Sequence, residues 1–436
     1  MIGINHITLM GNNRLFKGYW WLPSSPDDKV AGVLTVEPNG KVLLELMGAF
    51  DLAGKSFDFE GNIVDAIYGR CYAPNNNMKD ISLMDCRSAI TYNFSSSFPL
   101  TRYTCRYALI GIYAESMDSQ EFFKADVSIG ELAHWCRPRN VMVKYYGNTI
   151  GLKIDTTEDK QNVIDFVDLD DGTRLNLTKA VTFTSDYPKI FVAQATRLEI
   201  LKEGMSAGQV LSKMMGFENF LSVATLSYPL EHSKVFLYSR KHFQDNGREE
   251  SVYHPVELVT PLYRNGEPEF VRNHDFLFSY EDIKSSFQDV VRRFYSDIRI
   301  SQIWNNLICS LEKKRVYSSG DFLVVAQALD GFAIRFRKET DFQKQLKSLR
   351  DEFKSVRKLS LTDDDLKAAK GSRDYYSHIL RYEVKDDRKA LDGSELFHLT
   401  EKLRVLLICC VLNYLGFDNE KIDQLLNKCC NPILDM

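Results

Sequence analysis

Hydrophobic residues stand at alternate positions along the first part of the chain. The segments Val30–Val36 and Val42–Leu46 both alternate in this way, and Pro38-Asn39-Gly40 lies between them. A period of two that is interrupted by a turn sequence is typical of a β-hairpin. Further β-rich runs lie at residues 181–183, 190–193 and 234–238, and a helix is predicted at 207–215. Residues 1–275 are therefore predicted to form a mainly antiparallel β domain with a few inserted helices.

The pattern changes to helical spacing after about residue 278. Apolar residues then recur on one face of a helix, at Ile283, Phe287, Val290, Val291 and Phe294. Further helices are predicted at residues 297–313, 320–337, 341–356, 362–381, 394–415 and 419–428, the last with Asp418 as its N-cap. Short connections indicate antiparallel packing, so residues 280–436 are predicted to form an all-α bundle. The fold class is thus α+β, with a β-rich N-terminal domain before a helical C-terminal domain.

Composition limits the class of protein. A length of 436 residues fits two folded units, and a hydrophobic fraction of 44% is ordinary for a globular protein. The formal net charge of -4 argues against a protein that coats nucleic acid by bulk electrostatics. Residues 280–436 contain 27 Lys and Arg against 25 Asp and Glu, a net charge of +2. This half is therefore better suited to bind a polyanion than the acidic first half.

Membrane, targeting and metal signals do not stand out. The longest apolar stretch, residues 405–412, is much shorter than the ~20 residues that cross a bilayer, and the residues after Met1 do not resemble a signal peptide. Nine cysteines occur without a C-x-x-C motif, which is typical of reduced cytoplasmic thiols. We therefore expect a cytoplasmic protein that has no membrane contact, no metal and no other cofactor.

One short segment has residues that are suited to cleaving RNA. Arg373 and His378 are separated by four residues within the sequence SRDYYSH, residues 372–378. A histidine can transfer protons near neutral pH, and an arginine offers a permanent charge and a donor fork that fits phosphate. On a helix Asp374 and His378 are neighbours one turn apart, so the carboxylate is predicted to orient the imidazole. Arg373 lies about 140° away around the helix axis and needs its long side chain, or a partner chain, to complete the site.

The spacing of arginine and histidine is weak evidence by itself. An arginine followed by a histidine after four to six residues occurs twice, the second time as Arg248 and His254. That second pair stands in the β-rich half, directly before Pro255, where no helix is expected. We interpret it as a coincidence.

The surroundings of Arg373 and His378 resemble a known family. A polar residue after the arginine and aromatic residues before the histidine are typical of the HEPN domains of ApeA-type abortive-infection proteins. Other segments also resemble this family, namely residues 326–332 and 395–404 in its HEPN domain and residues 16–23, 32–34 and 44–50 in its N-terminal domain. The chain departs from the family pattern at Asp374, where asparagine is common, and this departure places a negative charge near the phosphate site.

This resemblance implies a metal-independent endoribonuclease of antiphage abortive-infection defence. The implied catalytic residues are Arg373, His378 and Asp374. The implied RNA-binding residues are Tyr375, Tyr376 and Ser377. The RNA 2′-OH would attack the adjacent phosphate and leave a 2′,3′-cyclic phosphate. The implied partners are RNA, with transfer RNA as one candidate, a second copy bound through the C-terminal helical domain, and an unknown trigger sensed by the N-terminal domain.

Simpler interpretations remain open. Arg373 and His378 also fit a surface salt bridge or a buried structural histidine, and Tyr375 and Tyr376 also fit packing roles. The run of aspartates at residues 363–365 is interpreted as charge that complements a helix dipole. The alternative function is a non-catalytic HEPN-like binding or dimerisation module that acts as a sensor or scaffold. Asp374 is the feature that favours this alternative.

Overall fold

The computed structural model describes residues 13–50, 63–75, 77–89, 100–130, 132–137, 141–146, 149–154, 162–186, 189–227, 232–245, 248–261, 273–312, 317–378 and 390–434. Its contacts divide the chain into two compact units. Unit 1 comprises Met1–Ser128, Leu198–Met214 and Glu231–Glu267, and unit 2 comprises Ile129–Arg197, Met215–Leu230 and Pro268–Met436. A single domain boundary between residues 275 and 280 stays a proposal, because unit 2 also includes two segments from the β-rich half.

Antiparallel strands lie mostly in unit 1, although residues 141–197 contribute strands to unit 2. In chain order, the strands are β1 (Arg14–Trp21), β2 (Val30–Val36), β3 (Val42–Leu46), β4 (Ile63–Tyr72), β5 (Met78–Ala89), β6 (Thr101–Ile110), β7 (Phe122–Ile129), β8 (Val141–Tyr146), β9 (Thr149–Ile154), β10 (Val163–Asp168), β11 (Arg174–Asp186), β12 (Lys189–Met205), β13 (His232–Asp245) and β14 (Arg248–Val259).

Strands β1 to β6 close into an antiparallel barrel. β1 pairs with β2 and β4, β3 pairs with β2 and β6, and β5 pairs with β4 and β6. The hairpin predicted from the alternating pattern is confirmed as β2 and β3, with Gly32 opposite Leu46 and Val36 opposite Val42. Alternate side chains point inward, and the interior is filled by apolar residues that include Phe16, Trp20, Leu34, Leu44, Ile81 and Leu83.

Trp20 shows how closely the barrel interior is packed. Its side chain is fully buried, and it lies opposite Gly69 in the register of β1 and β4. A Cβ atom on Gly69 would lie 2.3 Å from the indole ring. The strand therefore needs glycine at this position because the ring occupies the space of a side chain.

The sheet of unit 1 continues beyond the barrel through β14, β13 and β7. β13 and β14 form a long hairpin in which Val235 lies opposite Leu258 and Asp245 lies opposite Arg248. Arg248 and His254, the second match to the Arg-His spacing, both lie on strand β14. The expectation that no helix forms there is confirmed.

Helices make up most of unit 2. In chain order, the helices are α1 (Leu132–Cys136), α2 (Ala207–Thr225), α3 (Tyr280–Ile283), α4 (Phe287–Ser296), α5 (Ile298–Ser310), α6 (Ser319–Arg337), α7 (Phe342–Glu352), α8 (Asp363–His378), α9 (Gly393–Leu415) and α10 (Asn419–Lys428). The α+β fold class is confirmed, with antiparallel strands in the N-terminal region and helices after residue 280. Asp418 caps α10 as predicted, because its carboxylate accepts a hydrogen bond from the Lys421 backbone N–H at 2.8 Å.

Helix α9 is buried on nearly all sides. Every residue from 403 to 412 is buried, which is the pattern of a helix surrounded by others rather than lying at a surface. Helices α4, α5, α6, α7 and α10 all pack against it. Within the described residues, no helix combines the length and the apolar character that crossing a bilayer requires.

Two segments of the β-rich half pack with the helices of unit 2. In the hairpin of β10 and β11, Asp165 accepts a hydrogen bond from the Tyr280 hydroxyl at 3.0 Å. In α1, the Trp135 indole N–H donates to the Phe278 carbonyl at 2.9 Å. Asp165 and Trp135 are far from their partners in sequence, so the place of these two segments in unit 2 depends on tertiary contacts.

Helix α2 is longer than the predicted 207–215 and ends at Thr225. The prediction ended at Met215, directly before Gly216, and glycine disfavours a helix interior by about 1 kcal/mol. A Cβ atom at this position would lie 2.7 Å from the Tyr295 ring, and the residues that follow, among them Phe217 and Phe220, are fully buried. Packing of these side chains outweighs the low helix propensity of glycine.

Candidate active site on helix α8

Helix α8, which carries Arg373 and His378, is anchored at its first turn. The Asp365 carboxylate accepts hydrogen bonds from the backbone N–H and the hydroxyl of Thr362 at 2.8 Å, and the Asp365 N–H donates to the Thr362 hydroxyl. This capping box satisfies backbone donors at the helix start. Lys402 of α9 donates to the same carboxylate at 3.0 Å. Burial alone would raise the pKa of Asp365, but the hydrogen bonds from Thr362 and Lys402 hold it below its ordinary value.

The other two aspartates at the start of α8 also contact cations. Arg350 of α7 donates to Asp363 at 2.6 Å, and Lys367 donates to Asp364 at 3.1 Å. These contacts agree with the interpretation of the run as helix-start charge. No group of three or more His, Cys, Asp or Glu within the described ranges could hold a metal ion.

Two side chains near the end of α8 hold the segment that leads into α9. Ser372 is fully buried, and its hydroxyl accepts a hydrogen bond from the Leu391 N–H at 3.0 Å. The Tyr376 hydroxyl donates to the Leu391 carbonyl at 2.9 Å. Both backbone groups of Leu391 are thereby bound to α8, so the segment before α9 is tied to the turns that carry Arg373.

The Arg373 guanidinium reaches α6 and binds Asp330. Nη2 of Arg373 donates to Asp330 Oδ2 at 2.7 Å, and Nη1 lies 3.6 Å from Asp374 Oδ1. The guanidinium carbon also lies 5.0 Å from the centre of the Phe342 ring, within the range of a cation–π contact. One third of the arginine side chain remains exposed, against 19% of the Asp330 side chain. The guanidinium is therefore held in place by Asp330, while part of the Arg373 side chain is open to solvent.

The position of His378 is described only by its backbone. It is the last residue of α8, one helical turn after Asp374, while its side chain lies outside the described part of the chain. The carboxylate of Asp374 lies toward Arg373 at 3.6 Å. The predicted contact between Asp374 and the imidazole stays a prediction.

The three residues predicted to bind RNA differ in their surroundings. Tyr375 and Tyr376 are half-buried, and their rings are in edge contact at 5.0 Å between centroids. Tyr376 also has the structural hydrogen bond to Leu391, which supports a packing role for this residue. Ser377 is exposed on the last turn of the helix. RNA binding by these residues stays a prediction.

Asp330 is a part of the site that the motif did not reveal. It stands 43 residues before Arg373, on a different helix. One feature of the sequence could have pointed to Asp330. It is the single charged residue between Phe322 and Ala333, in an otherwise mostly apolar stretch. A half-buried carboxylate on such a helix requires a partner, but the pattern does not say which cation supplies it.

Two family models match the chain. The model described as ApeA N-terminal domain 1 matches residues 15–294, which is more than half of the chain, and the model described as Apea-like HEPN matches residues 324–421. The chain belongs to the ApeA family. No curated protein and no solved structure matches it.

The HEPN match places the Arg373 site within the second ApeA domain. Residues 324–421 include Asp330, Arg373 and His378. HEPN domains are typically ribonucleases, so the match indicates a ribonuclease-type function for this ApeA chain. The predicted resemblance to ApeA-type proteins is thereby confirmed in both halves.

Proposed function

We propose that this protein is a metal-independent endoribonuclease of antiphage abortive-infection defence. The observation that supports this proposal most directly is the state of Arg373. Its guanidinium is anchored by Asp330, one third of its side chain is exposed, and it lies on the same helix as His378. An anchored, accessible guanidinium is suited to bind a phosphate in one orientation, because its donor fork matches two phosphate oxygens.

The proposed reaction is an internal transfer within the RNA. The O2′ atom attacks the adjacent phosphorus as its proton passes to a base, the bond from phosphorus to O5′ breaks, and O5′ gains a proton. The products are a 2′,3′-cyclic phosphate and a 5′-hydroxyl. His378 transfers protons, and Arg373 stabilises the charge that grows on the phosphoryl oxygens. Asp374 orients the imidazole, while Tyr375, Tyr376 and Ser377 contact the RNA.

The proposal includes a homodimer formed through the helical domain. Positions 373 and 378 face directions about 140° apart, so one helix presents the pair poorly to a single phosphate. A two-fold dimer brings two copies of each group to one cleft. Ile334 lies one turn after Asp330 on α6 and is 48% exposed, which places an apolar side chain beside the site.

We expect Ile334→Arg to prevent dimer formation. Burying an isoleucine stabilises an interface by roughly 1.5–3 kcal/mol, and a two-fold interface contains it twice. Sedimentation should give twice 50.2 kDa for the natural chain and 50.2 kDa for the variant. Phe397→Arg makes the same change at another exposed apolar residue, on α9 and 40% exposed, and tests whether the effect is specific to the surface beside Asp330. A natural chain that is monomeric and still cleaves RNA would contradict the composite site.

A specific observation favours the alternative of a silent binding module. Two carboxylates, Asp330 and Asp374, lie near the Arg373 guanidinium, and an RNA phosphate must compete with both. Such a module would use the helical domain for binding or dimerisation and would not cleave RNA.

Growth of cells that express the protein separates the two functions. A ribonuclease of this type should arrest growth when the natural chain is expressed, and His378→Ala or Arg373→Ala should restore growth at equal protein levels. RNA from arrested cells should carry new 5′-hydroxyl ends. Equal growth with the natural and substituted chains, without new RNA ends, would support the silent module.

A further inference from the structure

The outer surface of the barrel in unit 1 presents aromatic and basic side chains together. Phe16 and Trp20 of β1 point into the barrel, so Lys17, Tyr19 and Trp21 point outward. Outward residues of β1 lie directly opposite outward residues of β4, in the pairs Lys17 with Tyr72, Tyr19 with Arg70, and Trp21 with Tyr68. We call Lys17, Tyr19, Trp21, Arg70 and Tyr72 the aromatic face.

Large parts of these side chains are exposed. Tyr19 is 59% exposed, Tyr72 is 55% exposed, and 63% of the Arg70 side chain is exposed. Among the residues that the structure describes, no ring contact and no hydrogen bond involves the side chain of either tyrosine. Two tyrosines on adjacent strands thus offer their rings to solvent near each other, and clustered exposed rings are typical of interaction sites.

The ring of Trp21 is supported from beneath. Tyr113 contacts the Trp21 ring at 5.7 Å and the Tyr68 ring at 5.1 Å between centroids. The Tyr113 hydroxyl donates to Asp80 at 2.8 Å. Lys29 lies 5.2 Å from the Trp21 ring. The Trp21 ring is therefore held by its neighbours before any ligand arrives, so ordering this ring on binding costs little side-chain entropy.

Three cations, Lys17, Lys29 and Arg70, lie on or beside the aromatic face, and the acidic groups nearby include Asp80 and Glu115. Lys17 and Lys29 form no ion pair within the described part of the chain, while Arg70 lies 3.9 Å from Asp80. Asp80 also accepts the hydrogen bond from Tyr113, so this carboxylate is shared. Each cation lies beside an aromatic ring, and this alternation suits a ligand that has both flat rings and negative charges.

We propose that the aromatic face binds single-stranded nucleic acid. Outward positions two residues apart on β1 are separated by about 7 Å, which fits a flat base between two rings at contact distances of about 3.5–4 Å on each side. Bases stack on Tyr19, Trp21 and Tyr72. The phosphates bind the side chains of Lys17, Lys29 and Arg70. This site is separate from the proposed cleavage site and does not depend on ribonuclease activity.

Tryptophan fluorescence gives a direct test in the full-length chain. Three of the four tryptophans are buried, namely Trp20, Trp135 and Trp304, and Trp21 alone is partly exposed. Titration with a single-stranded DNA oligonucleotide, which has no 2′-OH to react, should quench the emission in a saturable way. Trp21→Phe should remove this signal while anisotropy of a labelled strand still reports binding.

Matched variants show whether the aromatic face carries the binding. Tyr19→Ala and Tyr72→Ala should each raise Kd by about fivefold or more, while Tyr19→Phe should bind like the natural chain. Tyr253→Ala, which removes a 61% exposed tyrosine from β14, should leave Kd unchanged. Lys17→Ala should lower the slope of log K against log salt by about 0.7.

Several results would overturn the proposal. They are an unquenched Trp21 at saturating DNA, a Kd that Tyr19→Ala and Tyr72→Ala leave unchanged, and equal affinity for double-stranded DNA, whose bases are not free to stack. Binding of a protein that these two alanine variants abolish, without binding of DNA, would assign the aromatic face to a protein partner instead. Loss of RNA cleavage by the helical domain would not affect any of these outcomes.

Discussion

We expect Arg373→Ala and His378→Ala each to lower the rate of RNA cleavage by roughly 10³-fold. A positioned proton donor or acceptor contributes about 10²–10⁴-fold to a rate, and a charge-stabilising donor contributes about 10²–10³-fold. Arg373→Lys should remain strongly impaired, because an ammonium group cannot bind Asp330 and a phosphate with one planar fork. The measurement is the single-turnover cleavage of a labelled RNA by purified chains.

Arg357→Ala is the matched control for this experiment. Arg357 lies in the same unit, forms a surface ion pair with Asp423 at 2.8 Å, and has a side chain that is 73% exposed. Its removal should leave cleavage within about twofold, because exposed ion pairs contribute little. Unchanged cleavage by Arg373→Ala or His378→Ala would contradict the proposed site.

The two carboxylates beside Arg373 should give smaller effects in the same assay. Asp374→Ala should lower cleavage by less than Arg373→Ala or His378→Ala, and Asp374→Asn should remain active. Asp330→Ala should lower it about tenfold, since a guanidinium without its anchor spends less time in the reactive geometry. Faster cleavage by Asp374→Asn or Asp330→Ala would show instead that the carboxylates restrain the enzyme until a trigger acts.

We expect Glu401→Leu to lower the free energy of unfolding by about 3–5 kcal/mol. Glu401 and Arg404 of α9 are both buried, at 8% and 6% exposure, and the Arg404 Nη1 donates to the Glu401 carboxylate. The Arg404 Nε donates to the Ser310 hydroxyl at 3.1 Å. Without Glu401 the guanidinium stays buried with no counter-charge, and a lone buried charge is much more costly than a pair.

The double variant Glu401→Leu/Arg404→Met is the control for this stability effect. It replaces the ion pair by apolar groups of similar size, and its free energy of unfolding should match that of the natural chain or exceed it by about 1–4 kcal/mol. Urea titration followed by circular dichroism of the helices measures both changes. A double variant as unstable as Glu401→Leu would show that side-chain packing, rather than the buried charge, causes the loss.

Local patterns predicted most of the elements correctly. The hairpin at residues 30–46 and the helices after residue 280 depend on residues within a few positions of one another. The spacing of apolar residues shows this local pattern directly. The Gly216 position shows the limit of this reasoning, because α2 continues through it to Thr225. The residues that follow Gly216 are buried by contacts with distant parts of the chain, and local helix propensity cannot predict such contacts.

Residue patterns alone were enough to predict the β-rich and helical halves, the ApeA resemblance, and the position of Arg373 and His378 on one helix. Only the tertiary structure decided that Arg373 binds Asp330, that the pairing of β5 with β6 closes the barrel, and that the hairpin of β10 and β11 packs in the helical unit. The physical reason is the same in each case. An apolar or charged position in a sequence shows that a side chain needs a partner, but the partner is chosen by the way distant faces pack together.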